Sequence, residues 1–238
     1  MGVAVTVSTK VSPHDTMLQA TKGQDLDRYL ANGRQAAALM KSRCDSPHRI
    51  LDFGCGHGRV LRHIVAEWPE AEVWACDLDP DAVQFCQQEF NVRGLLSATD
   101  PAALELPRFD LIWVGSVFSH LEPFAWHGFL RLLAESLEGV MLLTLEGPYV
   151  ADCLRAGEEM GAAHETEGLL ADFDAHGFAY RDYPYSKQKG YGITLVSPER
   201  ARAAVENVGL HLVAHLERGW IGRQDVVVAS RARETGRA

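Results

Sequence analysis

The sequence lacks a long apolar run and a recognisable targeting segment. Its longest apolar stretch, GVMLLTL, is far too short to cross a bilayer. The first residues, MGVAVTVSTKVSPHD, contain no charged segment followed by an apolar one, so they do not resemble a signal peptide. We therefore expect no membrane insertion and a cytoplasmic location.

Basic residues and cysteine pairs are also scarce. There are 23 lysines and arginines against 32 aspartates and glutamates, which gives a net charge of −9. A broad nucleic-acid surface needs a basic face, so we expect no nucleic-acid partner. The five cysteines form no C-x-x-C pair, and an odd number favours free thiols in a reducing compartment. The ten histidines contain no H-E-x-x-H motif, and we expect no metal site.

What the sequence does contain is an alternation of strand-like and helix-like segments. Five strands are predicted before residue 148: RILDF, AEVWACD, GLLSA, FDLIWVG and GVMLLTLE. Helices are predicted over residues 25–42, 58–67, 80–89 and 123–137. A helix capped by Ser197 follows later, and LHLVAHLE and QDVVVAS then form an antiparallel hairpin, because only RGWIGR separates them. This order predicts an α/β fold with a doubly wound, seven-stranded, mostly parallel sheet and an antiparallel C-terminal hairpin.

Residues 148–192 interrupt this alternation and are rich in glycine, tyrosine and histidine. We predict that they form an inserted substrate lobe or lid. The core domain then comprises residues 49–147 and 193–230, and residues 1–48 form an N-terminal helical extension.

The segment RILDFGCGHGRVLRHI carries three glycines, Gly54, Gly56 and Gly58, between a strand and a helix. Such a loop can turn tightly and approach a ligand at the carboxyl end of the sheet. A dinucleotide loop would have its third glycine at position 59, where Arg59 stands. The second strand ends in Asp77, 19 residues after Gly58, where a carboxylate can bind ribose hydroxyls. The pattern favours a cofactor with a ribose and no pyrophosphate, such as S-adenosylmethionine; the alternative is a glycine-rich turn in an unrelated α/β protein.

Three segments resemble a known family. ILDFGCGHGRVLRHI and VWACDLDPDAV resemble motifs I and II of the class I S-adenosylmethionine-dependent methyltransferases, and FDLIWVGSVFSHL resembles their fourth-strand segment. YLANGRQAAALM is similar to a helix that approaches the amino-acid end of the cofactor in some members. The resemblance implies a Rossmann-like methyltransferase fold with S-adenosyl-L-methionine as cofactor. YGITLVSPE and WIGRQDVVV are similar to a subgroup often associated with glycan biosynthesis.

The resemblance also implies a set of cofactor-binding residues. The glycine loop lies under the methionine moiety, Asp52 lies near its ammonium group, and Asp77 holds the ribose. SATDP departs from the Gly-Asp pair more usual near the adenine, and Tyr29 has core packing as an alternative role. The full set is Tyr29, Gly33, Asp52, Gly54, Gly56, Gly58, Asp77, Leu78, Thr99, Asp100 and Gly115.

Two residues are candidates for catalysis. An oxygen nucleophile can need a base, and an imidazole suits that task. His120 follows the fourth strand and Glu146 ends the fifth, so both belong to the edge where an acceptor would meet the cofactor. For His120 the alternative is a packed or capping loop histidine, and for Glu146 a solvated strand end.

Candidate substrate contacts come from the insertion and the hairpin. They are His164, Tyr185, Tyr191 and Trp220, each of which could instead be a surface or packing residue. Together they suit a hydroxyl-rich or aromatic acceptor. We therefore predict methylation of a small molecule or glycan, most simply at oxygen. The alternatives are a small-molecule N-methyltransferase and a catalytically inactive cofactor-binding subunit; a homodimer is a further expectation.

Overall fold

The computed structural model describes residues 6–19, 25–158 and 165–231. Its helices are α1 (Thr16–Gln19), α2 (Leu26–Lys41), α3 (Leu61–Glu67), α4 (Pro80–Phe90), α5 (Pro123–Ser136), α6 (Pro148–Arg155), α7 (Thr166–His176) and α8 (Pro198–Asn207), with a short 3₁₀ turn at Pro101–Ala103. Its strands are β1 (Arg49–Phe53), β2 (Glu72–Asp77), β3 (Arg93–Leu96), β4 (Phe109–Val114), β5 (Leu137–Leu145), β6 (Phe178–Asp182), β7 (Gly192–Val196), β8 (His211–Trp220) and β9 (Gln224–Ser230).

The central sheet has the order β3-β2-β1-β4-β5-β9-β8. Strands β1 to β5 pair in parallel, whereas β9 is antiparallel to both β5 and β8. This confirms the predicted doubly wound, seven-stranded sheet with a C-terminal hairpin. The chain reverses its winding beside β1, and such a switch point opens a crevice at the carboxyl ends of the strands.

Local sequence signals explain where several helices begin. Asp79 accepts a hydrogen bond from the Asp81 amide and Pro80 follows it, which starts α4 as predicted. Ser197 caps α8 in the same way. The helix predicted from residue 58 begins instead at Leu61, because Gly58 has a φ of +80° and still belongs to the turn.

Two layers of apolar side chains cover the sheet. One face packs against α5 and α8, with Phe129, Leu133 and Val205 in its core. The other packs against α2, α3 and α4, with Met40 and Ile64 buried there. Among the residues that the structure describes, no helix has the length and apolar character needed to span a membrane. All five cysteines are free thiols.

The predicted insertion contains regular structure. Helices α6 and α7 pack with the antiparallel pair β6-β7 around a separate apolar cluster that includes Leu154 and Phe173. Strand β7 connects this region to the main sheet edge, because the Gly192 amide donates to the His120 carbonyl at 2.9 Å and the Thr194 amide to that of Ser119 at 2.9 Å. The insertion is therefore hydrogen-bonded to the loop that carries His120. Its assignment as a substrate lobe stays a prediction.

Candidate active site

A cavity of about 480 Å³ lies at the carboxyl ends of β1, β2 and β4. Its wall brings together most of the residues that the sequence singled out. These are Tyr29, Asp52, Gly54, Gly56, Asp77, Leu78, Thr99, Gly115, His120, Tyr191 and Trp220.

The three glycines of the loop do different things. All have positive φ, at +80° for Gly54, +49° for Gly56 and +80° for Gly58. A Cβ on Gly54 would lie 2.3 Å from Val117 Cγ2, and one on Gly58 would lie 2.3 Å from Phe90 Cε2. A Cβ on Gly56 would meet no protein atom within 4 Å. Gly54 and Gly58 are therefore required for packing, whereas Gly56 leaves open space beside the cavity.

Asp77 holds the glycine loop in place. Its Oδ2 accepts a hydrogen bond from the Gly56 amide at 2.7 Å, and its Oδ1 accepts one from the Asp79 amide at 3.0 Å. An ionised carboxylate has about four acceptor positions, so capacity remains for ligand hydroxyls. Asp77 therefore holds the loop in place and keeps acceptor positions for ligand hydroxyls.

Asp52 is a buried carboxyl with a vacant acceptor. Its side chain is 1 % exposed, and its Oδ2 has no hydrogen-bond partner among the described residues. Burial, reinforced by the negative charge of Asp77, raises the pKa of Asp52 to about 8, and Arg59 opposes the shift. A cationic ligand group beside Asp52 would satisfy this oxygen and restore its ionisation.

Arg59 brings a cation to the same wall. Its guanidinium lies 5.0 Å from the centroid of the Trp220 ring, and burial lowers its pKa. From the sequence alone, Arg59 served only as evidence against a dinucleotide-binding loop. A positive charge directly after a ligand-binding glycine loop was the signal that could have assigned it to the site.

The wall also includes residues before α2 that no sequence motif marked. Asp15, Thr16 and Met17 line the cavity. Asp15 Oδ2 accepts a hydrogen bond from the Tyr29 hydroxyl at 2.6 Å, and burial, with this hydrogen bond, raises the pKa of Tyr29. The Tyr29 hydroxyl is therefore committed to Asp15, and its ring faces the Arg62 guanidinium at 5.3 Å.

His120 lies at the opposite end, against the insertion. Its Nδ1 is 2.9 Å from the Gly192 carbonyl oxygen, and its ring packs 5.8 Å from Tyr183 and 5.0 Å from Tyr191. A carbonyl can only accept, so Nδ1 carries the proton and Nε2 keeps its lone pair. Burial lowers the pKa of His120, and the Gly192 contact opposes this in part. At neutral pH the ring is a neutral acceptor through Nε2.

Glu146 lies outside the cavity lining, in a polar chain behind it. Its side chain is buried, which raises its pKa, and Oε1 accepts from Gln224 Nε2 at 3.2 Å. Gln224 Oε1 in turn accepts from Ser116 Oγ at 3.1 Å, and Ser116 lines the cavity with a φ of +60°. Glu146 is therefore connected to the cavity wall only through Gln224 and Ser116, and its catalytic role stays a prediction.

Other predicted residues also stand apart from the lining. A Cβ on Gly33 would lie 2.1 Å from the Arg59 carbonyl oxygen, so this glycine allows α2 to approach the loop. Asp100 caps the 3₁₀ turn by accepting from the Ala102 amide at 2.9 Å. Tyr185 is 68 % exposed and stacks on Tyr183. His164 lies outside the described residues.

Trp220 belongs to the cavity wall and not to an exposed hairpin tip. It is fully buried, its Nε1 donates to the Asn32 carbonyl at 3.0 Å, and its ring meets Trp113 edge-on at 5.4 Å. Its indole N–H is therefore already committed, and only the ring surface is left to a ligand.

Comparison with known proteins assigns the class. Residues 51–138 match the family described as "Methyltransferase domain". The curated malonyl-[acyl-carrier protein] O-methyltransferase of Acetivibrio thermocellus is 29 % identical over 111 residues, which is 45 % of this chain and 37 % of that protein. The trans-aconitate 2-methyltransferase of Rhodococcus jostii is 36 % identical over 77 residues, which is 30 % of this chain and 28 % of that protein.

The fold agrees with this assignment. The crystal structure of Burkholderia thailandensis 1,6-didemethyltoxoflavin-N1-methyltransferase, with bound 1,6-didemethyltoxoflavin and S-adenosylhomocysteine, aligns with a TM-score of 0.59 and 17 % identity. The alignment covers 89 % of this chain and 83 % of that one.

Residues 51–138 therefore form a methyltransferase domain, and the chain shares its fold with a solved methyltransferase that holds S-adenosylhomocysteine. Both findings agree with the resemblance seen in the motifs and with S-adenosylmethionine as the expected cofactor. The chain spans little more than a third of the length of the first curated relative, 37 %.

Proposed function

We propose that this protein transfers a methyl group from S-adenosylmethionine to an oxygen atom of a small-molecule or glycan acceptor. One observation carries the proposal: a single cavity is lined by the glycine loop and Asp77 together with His120.

The cofactor end of the cavity matches the charges of an amino acid joined to a nucleoside. Asp52, with its vacant oxygen, would hold the ammonium group, and Arg59 would hold the carboxylate. Asp77 would accept from the ribose hydroxyls, while Leu78, Ser97 and the backbone near Thr99 would surround the adenine. Gly56 supports this arrangement, because its missing Cβ leaves space in contact with no protein atom.

The acceptor end is formed by His120, Tyr191 and the residues just before it, Gln188 and Lys189. S-adenosylmethionine, when bound, supplies an activated sulfonium methyl group, so the protein has mainly to position and desolvate the nucleophile. His120 Nε2 would accept the proton of an acceptor hydroxyl as that oxygen took the methyl group from the sulfonium sulfur, which would leave S-adenosylhomocysteine. The Gly192 carbonyl fixes the Nδ1–H tautomer that this requires.

A nitrogen acceptor is the second candidate. The Burkholderia thailandensis protein of known structure is named as an N1-methyltransferase, whereas the Acetivibrio thermocellus protein is named as an O-methyltransferase. With an amine acceptor His120 would position the nucleophile and not need to remove a proton before transfer.

The test is formation of S-adenosylhomocysteine with panels of phenols, sugars, carboxylic acids and amines, followed by mass spectrometry of the product. We expect turnover with at least one oxygen acceptor, reduced about 100-fold in His120→Asn. His176→Asn, on the exposed surface of α7, is the matched control. Turnover with amines alone would establish the nitrogen reaction, and tight cofactor binding without turnover on any panel would establish a binding subunit.

A further inference from the structure

A second cleft, of about 220 Å³, lies between α5, α8 and β6. Helix α5 separates it from the larger cavity: Ala125 and Phe129 line that cavity, whereas Trp126, His127 and Arg131 line the cleft. It has no part in the proposed methyl transfer.

The charged groups of this cleft are two exposed arginines. Two guanidinium groups, Arg131 and Arg200, line it together with the Asn207 amide and Trp126, and none of the described lining residues is acidic. On α8, Arg202 pairs with Glu206 at 3.7 Å, but neither Arg131 nor Arg200 pairs with a carboxylate in the described ranges. Unpaired neighbouring cations are unexpected on a chain with a net charge of −9.

A buried donor without an acceptor lies in the same place. Trp126 is 2 % exposed, and its Nε1 has no hydrogen-bond partner among the described residues. Leaving a buried N–H without an acceptor is costly, so a ligand acceptor that reached this nitrogen would be favoured. Burial lowers the pKa of His127, and the positive charges of Arg200 and Arg131 lower it further.

The rest of the wall is apolar. The His127 and Phe178 rings are nearly parallel, 6.0 Å apart, and Trp126 meets Phe178 edge-on at 5.6 Å. We propose that this cleft binds a small ligand that carries a phosphate or carboxylate group on an apolar body. The anion would lie between Arg131 and Arg200, and the apolar body would cover Phe178.

Calorimetric titration with phenyl phosphate, benzoate and inorganic phosphate, at physiological salt and with saturating S-adenosylhomocysteine, tests this site. We expect saturable binding with one ligand per chain. Phenyl phosphate should bind more tightly than inorganic phosphate, because the apolar wall adds contact. Comparison of phenyl phosphate with benzoate identifies the preferred anionic group.

The variants are Arg131→Gln, Arg200→Gln and Trp126→Phe, with Arg202→Gln as the matched control on α8. Each arginine variant should weaken binding about tenfold or more, as expected for a lost charge-assisted hydrogen bond. Trp126→Phe, which keeps one aromatic ring but loses the N–H and part of the indole surface, should weaken it less, and Arg202→Gln should leave it unchanged.

Three results would overturn the proposal: no saturation at millimolar concentrations, an equal loss of binding in Arg202→Gln, or probe binding that occurs only when S-adenosylhomocysteine is left out. The last would place the anion in the larger cavity. Circular dichroism establishes that each variant is folded. None of these readouts depends on methyl transfer, so failure here and failure of the proposed function are distinguishable.

Discussion

Replacing Asp77 with alanine should weaken both the cofactor site and the fold. Charge-assisted hydrogen bonds to ribose hydroxyls contribute roughly 1.5–3 kcal/mol, so the dissociation constant for S-adenosylmethionine should rise about 10- to 150-fold. A strand-end carboxylate alone would predict little change in stability. The structure revises that expectation, because the Gly56 and Asp79 amides both donate to this side chain.

The loss of stability follows from those two amides. Asp79 is exposed, so water can replace the lost acceptor there, whereas the Gly56 amide is less accessible. A cost of about 1–2 kcal/mol would lower the unfolding midpoint by about 2–8 °C for a chain of this size. Calorimetry with the cofactor and thermal unfolding without it measure the two effects separately.

The matched control is Asp81→Ala, because Asp81 lies in the first turn of α4, four residues after Asp77, and outside the cavity lining. It should change neither the dissociation constant nor the midpoint by a comparable amount. If Asp77→Ala lowered the midpoint but bound S-adenosylmethionine as tightly as the unchanged protein, Asp77 would be only a loop anchor. The proposed ribose contact would then be wrong.

Three further predictions follow from the cavity wall. Gly56→Ala should bind S-adenosylmethionine poorly and lose some stability, because a φ of +49° is unfavourable for alanine. Gly58→Ala should lose more, because its Cβ also meets Phe90; thermal unfolding and calorimetry separate the two effects. The pKa of Asp52 is about 8 in the folded protein against an ordinary 3.8, so Asp52 stabilises the cofactor-free protein most at low pH, and this contribution is lost as the pH rises toward 8. Asp52→Asn should flatten the pH dependence of stability. An unfolding midpoint that stays unchanged from about pH 5 to about pH 9 would exclude the raised pKa. Turnover should fall with acidification only below the ordinary histidine pKa, since burial lowers that of His120, and an identical pH profile in His120→Asn would show that another group titrates.

The parts of the site that the sequence could predict are local in the chain. The glycine loop, the strand before it and Asp77 follow from short-range patterns, because a turn with positive φ and a strand end are written in adjacent residues. The helix caps at Asp79 and Ser197 were predictable for the same reason.

The parts that the sequence could not predict depend on contacts distant in the chain. Trp220 is a buried part of the cavity wall because its indole N–H donates to the carbonyl of Asn32, which is 188 residues earlier in the sequence. Asp15 enters the site through Tyr29, and no composition signal marks such a pairing. Glu146 was predicted at the correct edge of the sheet. Its side chain does not line the cavity, because successive strand residues point to opposite faces. Strand β7 also lies beside it, since the Val196 amide donates to the Glu146 carbonyl at 3.0 Å.

The segment before α2 has a kinetic consequence. A few hydrogen bonds hold this segment against the rest of the protein. Arg62 Nη1 donates to the carbonyls of Ser8 and Lys10 at 2.9 Å each, and Asp15 accepts from the Tyr29 hydroxyl. Asp15 to Met17 form one side of the cavity. We therefore expect the dissociation rate of S-adenosylhomocysteine to depend on how often these hydrogen bonds break. Weakening them, for example with Arg62→Gln, should shorten the residence time of S-adenosylhomocysteine more than it slows capture of S-adenosylmethionine.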